Sequence, residues 1–280
     1  LTDHLGDRAP IGQVRQRLHR VRAKRVVLAT GTHERPLVYG NNDVPGNMLA
    51  GAVSTYVRRY GVAPGKKLVL STNNDYAYRV ALDWLDAGLH VVAVADVRHN
   101  PRGALVEEAR AKGIRILTGS AVIEARGSKR VSGARVAAID VKAHKVTSPG
   151  EWLDCDLIAS SGGYSPIVHL ASHLGGKPVW REDILGFVPG EAPQKRVCVG
   201  GVNGVYALGD ALADGFEGGV RAASEAGFQP VEGVIPKALS RVEEPTLAIF
   251  QVPHEKGTSR APKQFVDLQN DVTAAAIELA

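Results

Sequence analysis

Small and acidic residues fall where apolar runs stop, and at such positions a backbone can approach a phosphate or a sugar. Arg25-Val26-Val27-Leu28-Ala29 runs into Thr30-Gly31, Asp156-Leu157-Ile158-Ala159 into Ser160-Ser161-Gly162, and Val205-Tyr206-Ala207-Leu208 into Gly209-Asp210. Read as strand ends, each places a residue with little or no side chain where a ligand meets the sheet. A carboxylate such as Asp210, ahead of a helix, can accept hydrogen bonds from ribose or ribityl hydroxyls. It can equally cap that helix.

Other chemistries find less support. His169 and His173 stand four apart on one helix face at metal-ligand spacing, but no H-E-x-x-H glutamate and no third ligand accompany them, so they read as surface or cleft histidines. Ser160-Ser161-Gly162 lacks the G-x-S-x-G pattern of a nucleophile elbow. Cys155 and Cys198 form no C-x-x-C pair, which argues against a disulfide framework, a zinc site and a dithiol redox centre. His33-Glu34-Arg35 reads as a domain-joining loop held by a Glu–Arg pair. Trp84, Trp152 and Trp180 read as core. No catalytic residue and no metal site is expected.

The elements that must position these residues follow from periodicity. Apolar runs at Arg25 to Ala29, Lys67 to Ser71, Val91 to Ala95, Cys155 to Ala159 and Val197 to Val199 have the length and composition of buried parallel strands. Ala77, Val80, Ala81, Trp84 and Leu85 share one helix face, and Gly88 supplies its stop. Leu105 to Lys112 reads as a second helix ending at Gly113, followed by a strand at Ile114 to Leu117. Arg130 to Val146 alternates as antiparallel strands do. Arg20, Arg22 and Lys24 alternate with His19, Val21 and Ala23, which predicts one wet strand face rather than a nucleic-acid patch, since no aromatic platform accompanies them.

The unit Lys67 to Asp96 therefore has the order strand, turn, helix, strand of a dinucleotide site, yet its turn is Ser71-Thr72-Asn73-Asn74-Asp75-Tyr76-Ala77. Counted back from Gly88, the glycine positions of G-x-G-x-x-G/A fall on Thr72, Asn74 and Ala77, and only the last is acceptable. Asp75 puts a carboxylate at the helix N-terminus that would otherwise attract phosphate, so the helix is expected to be capped by protein. Asp96, where a ribose-binding acid would stand, reads as a solvated strand-end residue.

Composition limits the class. Lys plus Arg exceed Asp plus Glu by only 34 to 29, and 44% of residues are hydrophobic, as in a globular protein without a nucleic-acid role. No apolar run reaches the ~18–20 residues of a membrane span and no signal-peptide pattern opens the chain, so the cytoplasm is the expected compartment. Leu1 is not a methionine, and Asp271 to Ala280 is a helix-forming run without a C-cap, which together suggest a piece of a longer chain.

The order of these motifs resembles the two-dinucleotide-domain flavoprotein reductases. Within them, Val27 to Leu37, Tyr60 to Gly65, Asn73 to Ala77, Ser161 to Pro166, Leu212 to Gly215 and Phe265 to Thr273 resemble the α subunits of heterotetrameric sarcosine oxidases. Opine oxidase, hydroxyproline dehydrogenase and hydrogen cyanide synthase α subunits share much of this wording. The resemblance implies an α/β fold: a Rossmann-like, FAD/NAD(P)-binding parallel sheet with a β-meander, inserted in an incomplete first dinucleotide-binding domain. The joints at Pro36, Val44-Pro45-Gly46 and Pro189-Gly190 to Pro193 divide the chain into 1–47 with 190–235 as part of the first domain and 48–189 as a second, degenerate nucleotide-binding-like domain, and the resemblance makes 236–280 a linker toward a folate-binding domain. The resemblance implies NAD in the first domain, whose glycine-rich unit should precede Leu1, with FAD on a β subunit, and with FMN at the α–β junction. Smaller subunits complete such a complex, which oxidises sarcosine. The cofactor-binding candidates are then Thr30, Gly31, Gly201, Asn203, Leu208, Gly209 and Asp210. Two other readings stay open: a self-sufficient pyridine-nucleotide-disulfide-type reductase, and a non-enzymatic assembly module.

Overall fold

In the computed structural model the described residues are 2–3, 6–8, 10–173, 175–229, 233–239 and 243–280. The expectations that touch Leu1, Leu174, 230–232 and 240–242 lie in part outside them.

Short strands β1 (Val26–Leu28), β2 (Thr32–Glu34) and β3 (Asn47–Leu49) lead into helix α1 (Ala50–Tyr60). Then β4 (Lys67–Thr72), α2 (Tyr78–Asp86), β5 (His90–Asp96), α3 (Ala104–Ala111) and β6 (Ile116–Thr118) alternate. The meander comprises β7 (Ser120–Gly127), β8 (Val131–Asp140), β9 (Lys145–Val146) and β10 (Glu151–Leu153), and β11 (Leu157–Ser161) returns to the first sheet. After it come β12 (Tyr164–Pro166), α4 (His169–Ser172), the hairpin β13 (Val179–Arg181) and β14 (Gly186–Val188), β15 (Arg196–Cys198) and the long helix α5 (Leu208–Glu225). The chain closes on β16 (Phe265–Asp267), β17 (Val272–Thr273) and α6 (Ala274–Leu279).

The central sheet is five-stranded, in the order β3-β11-β4-β5-β6, and all its pairings are parallel. Side chains alternate between its faces with a period of two. Leu68 and Leu70 of β4 pack on Val53, Tyr78, Leu82 and Trp84 of the helices. Val69 between them packs with Val122, Ile123, Val136 and Ile139 of the meander. Both faces are covered, so the strands read as continuous apolar runs. Each fully buried Leu or Val contributes about 1.5–3 kcal/mol of transfer free energy. The predicted helix stop holds: Gly88 has φ +75°, and the Leu89 N–H bonds back to the Trp84 carbonyl at 3.1 Å.

Several expectations are corrected. The strand predicted over Cys155 to Ala159 begins two residues later, because the Asp156 carboxylate is occupied by the Lys66 and Lys67 backbone N–H groups and pairing with β4 starts at Leu157 opposite Leu68. The basic run at 19–24 is not a strand; it has no pairing partner among the described residues, and Val21 is 83% exposed. Val205 to Leu208 is not a strand either: Gly209 and Asp210 lie in the first turn of α5, so Asp210 does not cap that helix. Trp152 and Trp180 are 42% and 41% exposed, whereas Trp84 is fully buried. No described helix is long and apolar enough to cross a membrane.

Candidate functional site

The loop that stands where a dinucleotide fingerprint belongs is filled by the protein itself. Thr72 Oγ1 accepts from the Asn74 N–H at 3.1 Å, and Asn74 Oδ1 accepts from the Ala77 N–H at 3.3 Å, so Asn74 serves the start of α2. Asn74 Nδ2 donates to Ser161 Oγ at 3.1 Å. Asn73 Nδ2 donates to the Leu247 carbonyl at 2.8 Å, and the Leu247 N–H returns a bond to the Asn73 carbonyl at 3.1 Å. A segment of the C-terminal tail thus lies across the end of the parallel sheet, in the crevice that open α/β folds offer to ligands.

Asp75 does not cap α2. Its Oδ2 accepts from the Glu244 N–H at 2.8 Å, and its Oδ1 lies 2.7 Å from Nη1 of Arg98. Asp96 is not solvated but fully buried, because Arg98 folds back onto it. Arg98 Nε and Nη2 donate to the two Asp96 oxygens at 3.0 and 2.8 Å, and the Tyr78 hydroxyl donates to Oδ2 at 2.8 Å. The carboxylate that would meet a ribose therefore has its partners within the protein. Buried charges persist only when paired and hydrogen-bonded in this way.

The other candidate lies where β1 ends. Here β15 pairs in parallel with β1, and a 3-10 turn at Gly200–Asn203 leads toward α5. Gly31 has φ +73°, with open space where a Cβ would stand. A Cβ on Gly201 would meet Thr32 Cγ2 at 3.1 Å and Gly31 Cα at 3.3 Å, so the two predicted glycines are in backbone contact. Asp214 of α5 accepts from the Gly200 N–H at 2.7 Å and locks the turn to the helix. The N-terminus of α5, at Ala207, has no side-chain cap hydrogen bond, and it carries the positive end of the helix dipole.

The remaining predicted residues spread around this contact. The Thr30 hydroxyl is used within the protein, donating to the Ile167 carbonyl at 2.8 Å. The Asn203 carbonyl accepts from Arg181 Nη1 at 3.1 Å. Leu208 and Asp210 are exposed in the first turn of α5, beside Gly209. Leu208 and Gly201 line a cavity of about 330 Å³ together with Thr32, Val205, Ala211 and the rings of Tyr76, Tyr164 and Tyr206. Those tyrosines form a wall, with ring centroids 5.6 Å apart for Tyr76 and Tyr164 and 6.0 Å for Tyr164 and Tyr206. Sequence reasoning missed them, since they come from distant segments and only Tyr206, close ahead of Gly209-Asp210, carried a positional hint.

Glu34 and Arg35 do not pair as expected. Glu34 accepts from the Gly51 N–H at 2.7 Å, and burial pushes its carboxyl up. Arg35 donates to the Leu185 carbonyl at 2.7 Å and lies 5.0 Å from the centroid of the Phe250 ring. His169 and His173 are exposed, and no metal-holding cluster exists among the described residues.

No family model matches the chain. It is 37% identical to the sarcosine oxidase alpha subunit of Corynebacterium sp. (strain P-1), over 99% of its own length and 28% of that protein. It is 37% identical to that of Rhizobium meliloti (strain 1021), over 95% and 25%. An opine oxidase subunit of the same strain is 26% identical, over 69% of the chain and 45% of that protein. Among solved structures, the fold matches L-proline dehydrogenase from P. horikoshii at TM-score 0.52, 19% identity, and 75% and 36% coverage of the two chains. Thioredoxin reductase from T. acidophilum matches at TM-score 0.51, 16% identity, and 72% and 64% coverage. The chain spans little more than a quarter of the length of the curated sarcosine oxidase subunits it matches. The sequence relatives lead to one conclusion: on a Rossmann-like α/β fold, the chain belongs to the sarcosine oxidase α-subunit family, of which it matches one segment.

Proposed function

We propose that these residues are the scaffold and one half of a dinucleotide site in a sarcosine-oxidase-type complex. NAD would be held at the first site, by Thr30, Gly31, Gly201, Asn203, Leu208, Gly209 and Asp210. The observation that carries this reading is the close approach of Gly201 to Gly31, which a Cβ on Gly201 would push apart, beside the start of α5. The arrangement suits a pyrophosphate, which takes up backbone N–H groups and the positive end of a helix. The glycine-poor loop at Thr72 to Asp75 already has protein partners. In this reading 48–189 is the degenerate second domain, 1–47 with 190–235 belongs to the first, and 236–280 leads toward a folate-binding domain. Val26 and Val27, 46% and 42% exposed on a sheet that holds only β1 and β15 among the described residues, suit further strands of a longer protein.

The complex, acting in the cytoplasm with FAD on a β subunit, FMN at the α–β junction and smaller subunits, would oxidatively demethylate sarcosine to glycine. With O2 as the electron acceptor it would yield hydrogen peroxide and, by passing the one-carbon unit to tetrahydrofolate, 5,10-methylenetetrahydrofolate, or formaldehyde without folate. Bound flavin supplies the redox chemistry there, and this chain's residues bind and orient. Calorimetric titration of the complete gene product with NAD, with and without its co-expressed partner subunits, tests the reading. Saturable binding of one NAD supports it. Flavin held by this chain alone would favour a reductase, and no ligand at all an assembly module.

A further inference from the structure

The domain whose crevice is filled keeps a surface on its opposite end. Helix α1 closes on Tyr56-Val57-Arg58-Arg59-Tyr60, and the loop from Gly61 to Lys66 turns back into β4. Gly61 stands at φ +63°, and the Val62 N–H donates to the Tyr56 carbonyl at 3.0 Å. Gly65 is buried where a Cβ would meet Asp156 Oδ1 at 2.7 Å, and the Lys66 and Lys67 N–H groups both donate to that oxygen at 2.8 Å. The loop is therefore seated in advance, which lowers the ordering cost of any contact made on it. Tyr56, Tyr60 and Val62 are nonetheless exposed, the two rings packed edge to face with centroids 5.9 Å apart. This face lies at the Lys67 end of β4, one strand length or roughly 17 Å from Thr72 and the crevice.

The charge around these side chains is positive. Arg59, Lys66, Lys67 and Lys129 are exposed and form no ion pair among the described residues, and Arg130 Nη2 reaches across to donate to the Pro64 carbonyl at 2.8 Å. Carboxylates on the adjoining elements are engaged, Asp83 and Asp86 with Arg58, and Asp156 with the loop N–H groups. The negative end of the α1 dipole accounts for Arg59 in the last turn, but the lysines and Arg130 come from other elements. Tyrosine and arginine are enriched where protein partners bury surface, and charges at the rim steer the partner's approach. Stacked bases fit less well, since Arg59 already lies over the Tyr60 ring, 5.0–6.0 Å being the usual range and 5.7 Å the distance here. We propose that this face docks an acidic surface of a partner subunit, with Tyr56, Tyr60 and Val62 as apolar anchors inside a rim formed by Arg59, Lys66 and Lys67. The inference rests on the reading that the chain works as a subunit of a larger complex.

The test is sedimentation velocity on the complete gene product co-expressed with its partner subunits, diluted until the complex begins to dissociate. Tyr56→Ala with Tyr60→Ala should weaken assembly by about tenfold to a hundredfold. Lys66→Glu with Lys67→Glu should weaken it by about tenfold at low salt and by much less in about 0.5 M salt, where rim charges are screened. The second pair carries the test if the first does not fold, because both lysines are exposed. Lys142→Glu with Lys145→Glu, at exposed positions of the meander, makes the same change of charge elsewhere and should leave assembly within about twofold. Assembly unchanged in both variants of the α1 face overturns the inference, as does an equal loss in the meander control. So does binding of a single-stranded RNA oligomer that the α1-face variants abolish while assembly stays intact, which would make the face a nucleic-acid surface. Failure of the unmodified protein to assemble removes the complex and the docking face together, whereas assembly indifferent to these residues removes the face alone.

Discussion

Replacing Arg98 by methionine should release the tail strap, the segment Glu243 to Leu247 that Asp75 and Asn73 hold across the end of the parallel sheet. Arg98 is 8% exposed and faces two carboxylates, Asp75 and Asp96, that are 1% and 0% exposed. It donates twice to Asp96 and lies 2.7 Å from Asp75. After Arg98→Met, Asp96 keeps the Tyr78 hydroxyl and the backbone N–H of residue 98, and among the described residues Asp75 keeps the Glu244 N–H alone. Stranding buried charge in this way costs about 3–5 kcal/mol. If that cost falls on the anchoring of the strap, the Glu244 and Leu247 amides should exchange with deuterium about a hundredfold to a few thousandfold faster. Arg98→Lys, which retains charge without the two-pronged geometry, should fall between. Hydrogen exchange followed by mass spectrometry on the complete gene product reads both. Exchange at 244–249 unchanged in Arg98→Met would show that the tail is held by something other than this ion cluster.

Three further expectations follow from the same geometry. A Cβ at Gly103 would stand 1.9 Å from Asp75 Oδ2, so Gly103→Ala should destabilise by about 1–3 kcal/mol, and the penalty should shrink in an Asp75→Gly background; equal shifts in thermal midpoint in both backgrounds would contradict this. Glu243 has a folded pKa raised to about 7, so between its ordinary 4.5 and 7 the unfolded chain loses its proton first and stability falls as pH rises. Glu243→Gln should therefore raise the thermal midpoint above pH 7 and have no such effect near pH 4, where a constant offset would refute the assignment. Gly218 packs on Val197 of β15 and on Val199 just after it, with its absent Cβ 2.3 Å from Val199 Cγ1, so Gly218→Ala should lift α5 from that sheet and lower the thermal midpoint, whereas Gly215→Ala, which faces open space inside the same helix, should raise it.

The architecture of the central sheet was legible because local signals agree there: apolar strands, a 3.6-residue stripe from Ala77 to Leu85, and a glycine at Gly88. Helix α1 is harder to read from the sequence, although Ala50, Val53 and Val57 share one face and Gly61, at φ +63°, ends it. The missing glycines at Thr72 and Asn74 marked the crevice as altered. What replaced the ligand was beyond reach, since Asn73 and its partner Leu247 lie far apart in the chain and no periodic pattern links them. Asp96 looked solvated because a strand-end acid usually is; the Arg98 two residues on, folding back to bury it, was the available clue. Asp210 was placed ahead of a helix that in fact begins at Leu208, because the apolar character of Val205 to Leu208 suits a strand as well as a turn.

In the proposed reading the dinucleotide lies at Gly31 and Gly201 and not at the loop from Thr72 to Asp75. A calorimetric NAD titration of the complete gene product, assembled with its partner subunits, tests it with two substitutions. Asp75→Gly, read with ADP-ribose so that loosening of the segment at Glu243 and Glu244 does not enter, should leave the affinity within about twofold, and Gly201→Val, whose side chain would press on Gly31 and Thr32, should weaken it by about tenfold or more. The opposite pattern, affinity lost in Asp75→Gly and retained in Gly201→Val, would place the nucleotide in the crevice and contradict the account.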